Sequence, residues 1–253
     1  MAPDRRTAEA AGYTRRVPLL LTAALRRVDP ITPRSRLISI AVDSADFCFS
    51  AGQAVLVGPA GSALRPYSIA CSPERAAEIG AIELLVGLGQ AAEQEHPLLS
   101  LAPGARLEVD GPLGTFLFPA VVEAPRLLFI AGGTGIAPLR AMLDHASRAH
   151  PSVRTSLMYS ARRADEFAFL PEFEALAAAG SLELHRTVTR EDEDWEGLRG
   201  RIGRAHFDSV LHDPAHTLCF VCGPPQMVEA SVTTLVGLGV PDAAIRREEW
   251  GRK

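Results

Sequence analysis

Two patterns of hydrophobic and polar residues divide the chain. From about residue 17 to residue 119, short runs rich in Val, Ile, Leu and Phe alternate with Gly, Pro, Asp and Ser, which indicates β-strands joined by turns. Strands are predicted at Arg36–Val42, Gln53–Val57, Tyr67–Ala70, Ala81–Val86 and Arg106–Val109. With a first strand that starts near Val17, they suit a small six-stranded antiparallel β-barrel. The polar segment Gly89–Leu101 is predicted as a helix or loop.

The pattern changes after Glu123–Arg126, where apolar strands begin to alternate with amphipathic helices. The strands are predicted within Leu127–His150, Val153–Arg163, Leu182–Arg190 and Leu218–Gly239, and Pro171–Ala179 is predicted as a helix. Such alternation is typical of a parallel α/β sheet with helices on both faces, a Rossmann-like domain. We therefore expect a β + α/β protein, with a barrel domain at 15–122 and an α/β domain at 123–253.

The N-terminal stretch Thr14–Leu25 has two interpretations. Arginines precede a short apolar run, as in an export signal, but Pro18 interrupts that run and no clear cleavage site follows. We favour a strand. No apolar run reaches the ~20 residues of a membrane-spanning helix, so we expect a cytoplasmic protein.

Composition narrows the range of functions. Hydrophobic residues make up 47% of the 253 residues, charged residues 22%, and the net charge is −4. These values are typical of a globular protein and give no sign of nucleic acid or an anionic membrane as a partner. The chain has four cysteines, too few for a disulfide scaffold. Cys219 and Cys222 have CxxC spacing, but no second pair completes a metal site, and we expect none.

Two turns follow apolar strands in the second half. In IAGGTGIAP, Ile130–Pro138, a strand runs into three glycines and then a helix, whose free N–H groups can bind a phosphate. In CGPPQM, Cys222–Met227, a thiol and a bend follow a strand at the edge where open α/β sheets bind ligands. The alternatives are a plain βα turn and a buried cysteine before a turn.

A third motif, RPYS, lies in the barrel half. Arg65 could hold a phosphate, Tyr67 could lie flat on an aromatic ring, and Ser68 could hydrogen-bond a ring heteroatom. The alternative is a half-buried strand with a surface arginine.

Together these motifs resemble the ferredoxin–NADP reductase superfamily. The matching stretches are RPYS at 65–68, GPLGTF at 111–116, GGTGIAP at 132–138, YSARRADEF at 159–167 and CGPPQM at 222–227. Their order covers the chain from about residue 15 to Trp250. The resemblance implies a flavin-binding barrel followed by a domain that brings NAD(P)H to the flavin, which gives an NAD(P)H-dependent flavoprotein reductase.

The resemblance also implies roles for particular residues. Arg65, Pro66, Tyr67 and Ser68 would hold the flavin, with Trp250 covering its ring. Gly133, Thr134, Gly135, Cys222, Gly223, Pro224 and Met227 would bind the dinucleotide. Ser68, Cys222 and Glu248 would tune the hydride transfer, with Glu249 a weaker choice than Glu248. Phe167 or Phe169 would flank the adenine.

The identity of both cofactors is less sharply indicated. FAD is the expected flavin, although Ala92 occupies the place of a family Ser or Thr near the diphosphate, and Glu93 and Glu95 follow it. FMN is therefore an alternative. Ser160, Arg162 and Arg163 could bind a 2′-phosphate, which favours NADPH over NADH.

The electron acceptor is expected to be a separate protein. The chain lacks the CxxxxCxxC run of relatives that carry an iron–sulfur domain, so a ferredoxin or Rieske-type protein is predicted as the partner. A basic docking face could use Arg15, Arg16, Arg26, Arg27, Arg34 and Arg36, although such arginines are more often only solvated. The alternative function is a flavin-binding regulatory or interaction subunit with little turnover.

Overall fold

The computed structural model describes residues 19–42, 47–88, 96–190 and 194–249. They contain the strands β1 Leu19–Thr32, β2 Ser35–Ala41, β3 Ala54–Pro59, β4 Arg65–Ser68, β5 Ala81–Gly87, β6 Arg106–Leu113, β7 Arg126–Gly132, β8 Arg154–Ala161, β9 Glu183–Val188, β10 Leu198–Arg199, β11 Thr217–Gly223 and β12 Ile245–Glu249. They also contain the helices α1 Pro73–Ile79, α2 Ile136–Ala149, α3 Leu170–Ala178, α4 Arg204–Phe207 and α5 Pro225–Gly237. None of these helices is long and apolar enough to cross a membrane.

The first six strands form the predicted barrel. They pair antiparallel in the order β4-β3-β6-β1-β2-β5. The two outer strands meet where Ile69, directly after β4, pairs with Leu84 in β5. The inward-facing residues of the barrel form a core that includes Ile38, Val55 and Ile82, all fully buried. On β2 and β5 the opposite face is buried as well, because Leu37 and Leu85 pack into the core that the barrel shares with the parallel sheet.

The other six strands form the predicted parallel sheet, in the order β10-β9-β8-β7-β11-β12. Its central strand β7 is buried almost throughout, as expected for a strand that is covered on both faces. The core on one face includes Phe173 of α3, and the core on the other includes Phe207 of α4 and Val228 of α5. Both halves of the expected β + α/β fold are thus confirmed.

Helix α1 was not predicted, although its sequence carries the signals for it. Ser72 caps the helix, since its Oγ accepts from the N–H of Arg75 at 3.1 Å, and Pro73 fits the first turn. Gly80 ends it in the left-handed conformation at φ 61°. The helix packs on α2, where Ser72 Oγ donates to Asp144 Oδ2 at 2.5 Å.

The ends of the predicted domains lie partly outside the described residues, as do Arg15, Arg16 and the stretch 89–95 that contains Ala92, Glu93 and Glu95. The last barrel strand ends at Leu113 and the parallel sheet begins at Arg126, so a boundary at 122/123 falls in the connection between them. That boundary remains a prediction. Ile245–Glu249, the first part of the charged C-terminal stretch, forms β12 and pairs with β11.

Candidate functional site

A cavity of about 490 Å³ lies between the barrel and the parallel sheet. On the sheet side it is lined by the turns that follow β7, β8 and β11, at the carboxyl edge where open α/β sheets bind ligands. On the barrel side it is lined by Thr32, Arg34 and Ser35 from the β1–β2 turn and by Gly87 at the end of β5. The cavity therefore lies at the interface between the two halves of the molecule.

Eight of the residues predicted to bind cofactors line this cavity. They are Gly133, Thr134, Gly135, Ser160, Arg162, Gly223, Pro224 and Met227. The remaining predicted residues that the structure describes lie outside the cavity lining: Arg65, Pro66, Tyr67 and Ser68 on β4, Arg163 after β8, Cys222 on β11 and Glu248 on β12. Trp250 lies outside the described residues.

The glycine turn after β7 is shaped by close contact with β11. A Cβ atom on Gly135 would lie 2.4 Å from the carbonyl oxygen of Cys222, and one on Gly132 would lie 2.5 Å from Met227 Sδ. Gly133 has φ +54°, in the left-handed region. The turn leads into α2, whose N-cap residue in this structure makes no side-chain capping bond. Gly133–Gly135 form a 3-10 helix that runs directly into α2, and the N–H of Ile136 already donates to the carbonyl oxygens of Gly133 and Thr134. The N–H groups that suit an anion are therefore those of the glycine turn itself.

Tyr159 fixes that turn from beneath. Its hydroxyl donates to the carbonyl oxygen of Gly133 at 3.1 Å and accepts from the N–H of Ala168 at 3.2 Å. The ring is fully buried, and this burial raises the pKa of the hydroxyl. The glycine turn is therefore tied to the 162–169 loop, which leads into α3.

Exposure to solvent decreases along β4 from Arg65 to Ser68. Arg65 and Pro66 are exposed, Tyr67 is half-buried and Ser68 is 5% exposed. The Oγ of Ser68 is buried and has no hydrogen-bond partner among the described residues. A buried hydroxyl without a partner costs roughly 1–3 kcal/mol. A ligand atom that reaches this hydroxyl would remove that cost.

His96 belongs to the same cluster and was not predicted. Its Nδ1 accepts from the N–H of Leu98 at 3.3 Å, so in the neutral ring Nε2 carries the proton and donates to the Tyr67 hydroxyl at 3.4 Å. Burial and then the charge of Arg65 lower the pKa of His96. Burial raises the pKa of Tyr67, with Arg65 opposing. This edge of the barrel thus combines a fixed cation, a neutral imidazole and a phenol.

Cys222 and Glu248 lie at the carboxyl end of the sheet. They are register neighbours on the parallel strands β11 and β12, so their side chains point to the same face. Two other residues show which face this is: Phe220 stacks on Phe118 at 5.6 Å, and Arg246 Nη1 donates to the carbonyl oxygen of Leu117 at 2.8 Å. This face is turned toward the segment that connects the two sheets. Cys222 is fully buried and Glu248 is partly exposed.

The CxxC spacing does not form a chelating pair. Cys219 belongs to the core on one face of the sheet and Cys222 to the core on the other, as a separation of three residues along a strand requires. Burial raises the pKa of Cys219 to about 12.

Three side chains of the 162–169 loop lie outside the cavity lining, which differs from the roles expected of them. Phe167 and Phe169 are buried, the first stacked on Trp195 at 5.5 Å and the second beneath the guanidinium of Arg140 at 4.3 Å, so neither ring lines the cavity. Arg163 also lies outside the lining, with its Nε 3.9 Å from Asp165 Oδ1.

Two arginines take places that sequence reasoning did not give them. Arg201 lines the cavity together with Arg162 and was not predicted at all. Arg34 lines it from the barrel side rather than standing on an outer docking face. Of the other predicted docking residues, Arg26 donates to the carbonyl oxygen of Ile79 at 2.6 Å and Arg27 pairs with Asp29.

Comparisons with known proteins agree with this architecture. Residues 129–233 match the family described as "Oxidoreductase NAD-binding domain". The chain is 33% identical over 241 residues to ferredoxin–NADP reductase B of Sorangium cellulosum, covering 90% of this chain and 96% of that protein. It is 31% identical over 204 residues to a component of the Na(+)-translocating NADH-quinone reductase of Idiomarina loihiensis, covering 74% of this chain and about half (49%) of that component.

Solved structures show the same fold. The Amycolatopsis cytochrome P450 reductase GcoB superposes with a TM-score of 0.79 at 28% identity, over 93% of this chain and 72% of that one. A ferredoxin–NADP⁺ reductase from Neisseria gonorrhoeae with bound FAD and NADP superposes with a TM-score of 0.75 at 22% identity, over 91% and 98%.

Barrel, parallel sheet and intervening cavity define an NAD(P)H-dependent flavoprotein oxidoreductase. More particularly, the chain belongs to the ferredoxin–NADP reductase superfamily, as its similarity to the Sorangium reductase over nearly the whole length of both proteins shows.

Proposed function

We propose that the protein binds FAD along β4, takes a hydride from NADPH in the cavity between the two sheets, and passes the electrons to a separate ferredoxin or Rieske-type protein. The observation that carries this proposal is the buried Oγ of Ser68, which has no hydrogen-bond partner among the described residues. Such a group is rare in folded proteins, and on β4 it comes directly after the exposed Arg65 and the half-buried Tyr67, which together offer a surface for a ligand.

The residues around Ser68 fit a flavin. The half-buried face of Tyr67 offers a stacking surface for a tricyclic ring, and Ser68 Oγ can bond a ring nitrogen at its edge. Arg65, exposed at the start of β4, can pair with a phosphate. The donor Nε2–H of His96 lies next to the Tyr67 hydroxyl, so this region also offers neutral polar groups.

The chain's own residues supply binding and orientation. When bound, a flavin supplies the redox chemistry, because it accepts two electrons as a hydride and can release them singly. The glycine turn and the Cys222–Met227 turn present the dinucleotide from the sheet side. Gly87 lies close to the glycine turn on the barrel side, since a Cβ on Gly87 would lie 3.1 Å from Thr134 Cγ2. This close fit keeps the glycine turn against the barrel, and with both cofactors bound it would help to fix their relative position, on which the rate of transfer depends.

The preference for NADPH rests on the cations in the cavity. Arg162 and Arg201 both line it, as does Ser160 near the end of β8. Two guanidiniums and a hydroxyl suit the charge and geometry of a 2′-phosphate.

The proposed acceptor follows from the names of the relatives. Relatives are named for ferredoxin, quinone and cytochrome P450, so the superfamily serves several acceptors. We propose a ferredoxin or Rieske-type protein because a relative that this chain matches over 90% of its length is named a ferredoxin–NADP reductase.

The test begins with the purified protein. We expect it to be yellow, to release FAD rather than FMN when its cofactor is identified by mass, and to bleach anaerobically with NADPH faster than with NADH. A colourless protein that neither FAD nor FMN reconstitutes would overturn the proposal. A flavin-loaded protein that reduces neither ferricyanide nor a [2Fe–2S] ferredoxin with either donor would instead support a regulatory role.

A further inference from the structure

Arg140 is a buried cation at the contact between the two sheets. It lies in α2, 4% exposed, and each side of its guanidinium is engaged. Nη1 donates to the carbonyl oxygen of Ala70 at 2.9 Å and to Glu83 Oε2 at 2.8 Å. Nε donates to Glu172 Oε2 at 2.9 Å, and the plane lies over the ring of Phe169 at 4.3 Å. We call these five residues the clasp.

The clasp joins three parts of the molecule that surround the cavity. Ala70 and Glu83 belong to the barrel, and Ala70 comes two residues after Ser68. Phe169 and Glu172 belong to the 162–169 loop and α3. Arg140 itself lies one turn into α2, the helix that starts from the glycine turn. A single planar group therefore connects three elements: β4, called the flavin strand because the proposed function places FAD along it, the loop after β8, and α2.

The charges of the clasp are balanced within it. Burial alone would raise the pKa of Glu83, but hydrogen bonds and charge from Arg140 and Arg75 outweigh it and lower that pKa. Burial likewise opposes the charge of Arg140, while Glu172 and Glu83 raise its pKa. Both groups are therefore charged across the physiological range. A planar, multidentate cation of this kind fixes direction as well as distance.

We propose that Arg140 is a positioning residue, which sets the placement of the glycine turn and its helix relative to the flavin strand and so controls the approach of the nicotinamide to the flavin. This inference rests on the proposed function, because it concerns the same hydride transfer. Arg140 lies outside the cavity lining and acts through Ala70 and the turn. Small displacements of reacting groups reduce rates steeply, by as much as ~100-fold for 1 Å.

The same helix provides a matched control. Arg148 lies two turns further along α2 and also bonds the barrel half, through Glu78 Oε1 on α1 at 2.5 Å, but it is partly exposed and far along the helix from the glycine turn. If any α2–barrel ion pair were enough, Arg148→Met would act like Arg140→Met. Arg140→Lys keeps a cation beside Glu83 but loses the planar fork, so it tests orientation without leaving a buried charge unpaired.

The first readout is the rate of anaerobic flavin reduction at saturating NADPH, measured by stopped-flow absorbance. We expect Arg140→Met and Arg140→Lys to slow the reduction step by about 10- to 100-fold, with a smaller change in KM and unchanged flavin content. Arg148→Met should remain within about twofold of the parent, since the two ion pairs of Arg148, with Glu78 and Asp144, lie at the surface, where such pairs contribute little. Parent-like rates in both Arg140 variants would overturn the proposal.

The second readout needs no cofactor. Spin labels on Ser62→Cys in the barrel and Val236→Cys in α5, both exposed sites, report the distance between the two halves of the apoprotein, with the exposed Cys48 replaced by Ser. We expect the distance distribution to broaden in the Arg140 variants and not in Arg148→Met. If Arg140→Met does not fold, Arg140→Lys decides. An unchanged distribution, or equal broadening in Arg148→Met, overturns the proposal, whereas a parent protein that NADPH cannot reduce defeats only the proposed function.

Discussion

Cys222 and Glu248 face each other in the register of two adjacent parallel strands, although 26 positions separate them in the chain (248 − 222). The pairing of β11 with β12 places a buried thiol and a partly exposed carboxyl side by side at the carboxyl edge of the sheet. Cys222 also contacts the glycine turn through its carbonyl oxygen, which lies 2.4 Å from the position of a Cβ on Gly135. Backbone register therefore brings together three motifs from distant parts of the sequence.

The first prediction concerns this pair. Cys222→Ala and Glu248→Gln should each slow flavin reduction by about tenfold or more, equivalent to ~1.4 kcal/mol in the barrier, without loss of bound flavin. The reason is that both side chains point to the face that is turned toward the segment that connects the two sheets, where Cys222 shares a core with Leu37 and Leu85 of the barrel. Glu249→Gln is the control, because the side chain of Glu249 points to the opposite face of β12. A Glu249→Gln variant as slow as Glu248→Gln would show that strand charge, rather than position, matters. Stopped-flow absorbance measures all three.

The second prediction uses the hydroxyl of Ser68. Ser68→Ala should stabilise the apoprotein by about 1 kcal/mol, since it removes a buried oxygen without a partner. The same change should weaken FAD binding, so the holoprotein gains nothing. Ser231→Ala is the control, because Ser231 Oγ on α5 is also buried without a partner among the described residues, outside the cavity lining. It should stabilise apo- and holoprotein alike. Thermal unfolding with and without FAD measures the stability of both variants. Equal shifts in melting temperature for Ser68→Ala and Ser231→Ala in both states would contradict the prediction.

The third prediction concerns the choice of nucleotide. Arg162→Ala and Arg201→Ala should each raise KM for NADPH by roughly 10- to 100-fold, a loss of about 1.5–3 kcal/mol that is typical of a hydrogen bond to a charged group, and change KM for NADH little. Arg163→Ala should have a smaller effect, because Arg163 does not line the cavity. Arg154→Ala, at the opposite end of β8, is the control for net charge. Steady-state kinetics with both donors decide the matter, and equal losses with NADH and NADPH would remove the case for a 2′-phosphate site.

The fourth prediction follows from the lowered pKa of His96. Because the folded-state pKa lies below the ordinary value of 6.5, the folded protein binds fewer protons than the unfolded chain in the window between the two values. The free energy of unfolding should therefore fall as the pH is lowered through this window. His96→Gln should remove that part of the pH dependence. Urea unfolding at about pH 7.5 and pH 5.5 measures it; identical pH profiles for parent and variant would contradict the placement of His96.

Much of the fold follows from local sequence patterns. The switch from short apolar runs bounded by turn residues to strands that alternate with helices predicts both sheets, because these runs and the turn residues between them are local signals. Helix α1 was missed even though Ser72, Pro73 and Gly80 form its start and stop signals. Its seven residues follow closely after β4 and precede β5, so the short helical period was hidden between two strong strand patterns.

The site was only partly predictable, for a different physical reason. Motifs at strand ends could be assigned because parallel strands bring their carboxyl ends to one edge. Arg34 and Arg201 could not, since their places in the cavity depend on how the barrel packs on the sheet. Phe167 and Phe169 were assigned to the adenine from their position in the loop, yet burial against Trp195 and Arg140 is a tertiary property that spacing does not contain.

The last prediction tests the close approach that shapes the glycine turn. Gly135 has an ordinary φ of −61°, so a side chain there would be excluded by space alone: a Cβ would lie 2.4 Å from the Cys222 oxygen and 2.7 Å from Gly223 Cα. Gly135→Ala must therefore push the β7 and β11 turns apart. We expect it to cost about 1–3 kcal/mol of stability.

Gly237→Ala, in α5, is the control, since nothing lies within 4 Å of its Cβ position. It should stabilise the protein by up to ~1 kcal/mol through helix propensity. The two variants should also differ in function, because separated turns can no longer hold the dinucleotide: Gly135→Ala should raise KM for NADPH and Gly237→Ala should not. Urea unfolding and steady-state kinetics measure both effects. A Gly135→Ala protein with parent stability and parent KM would mean that the two turns do not meet as the structure shows.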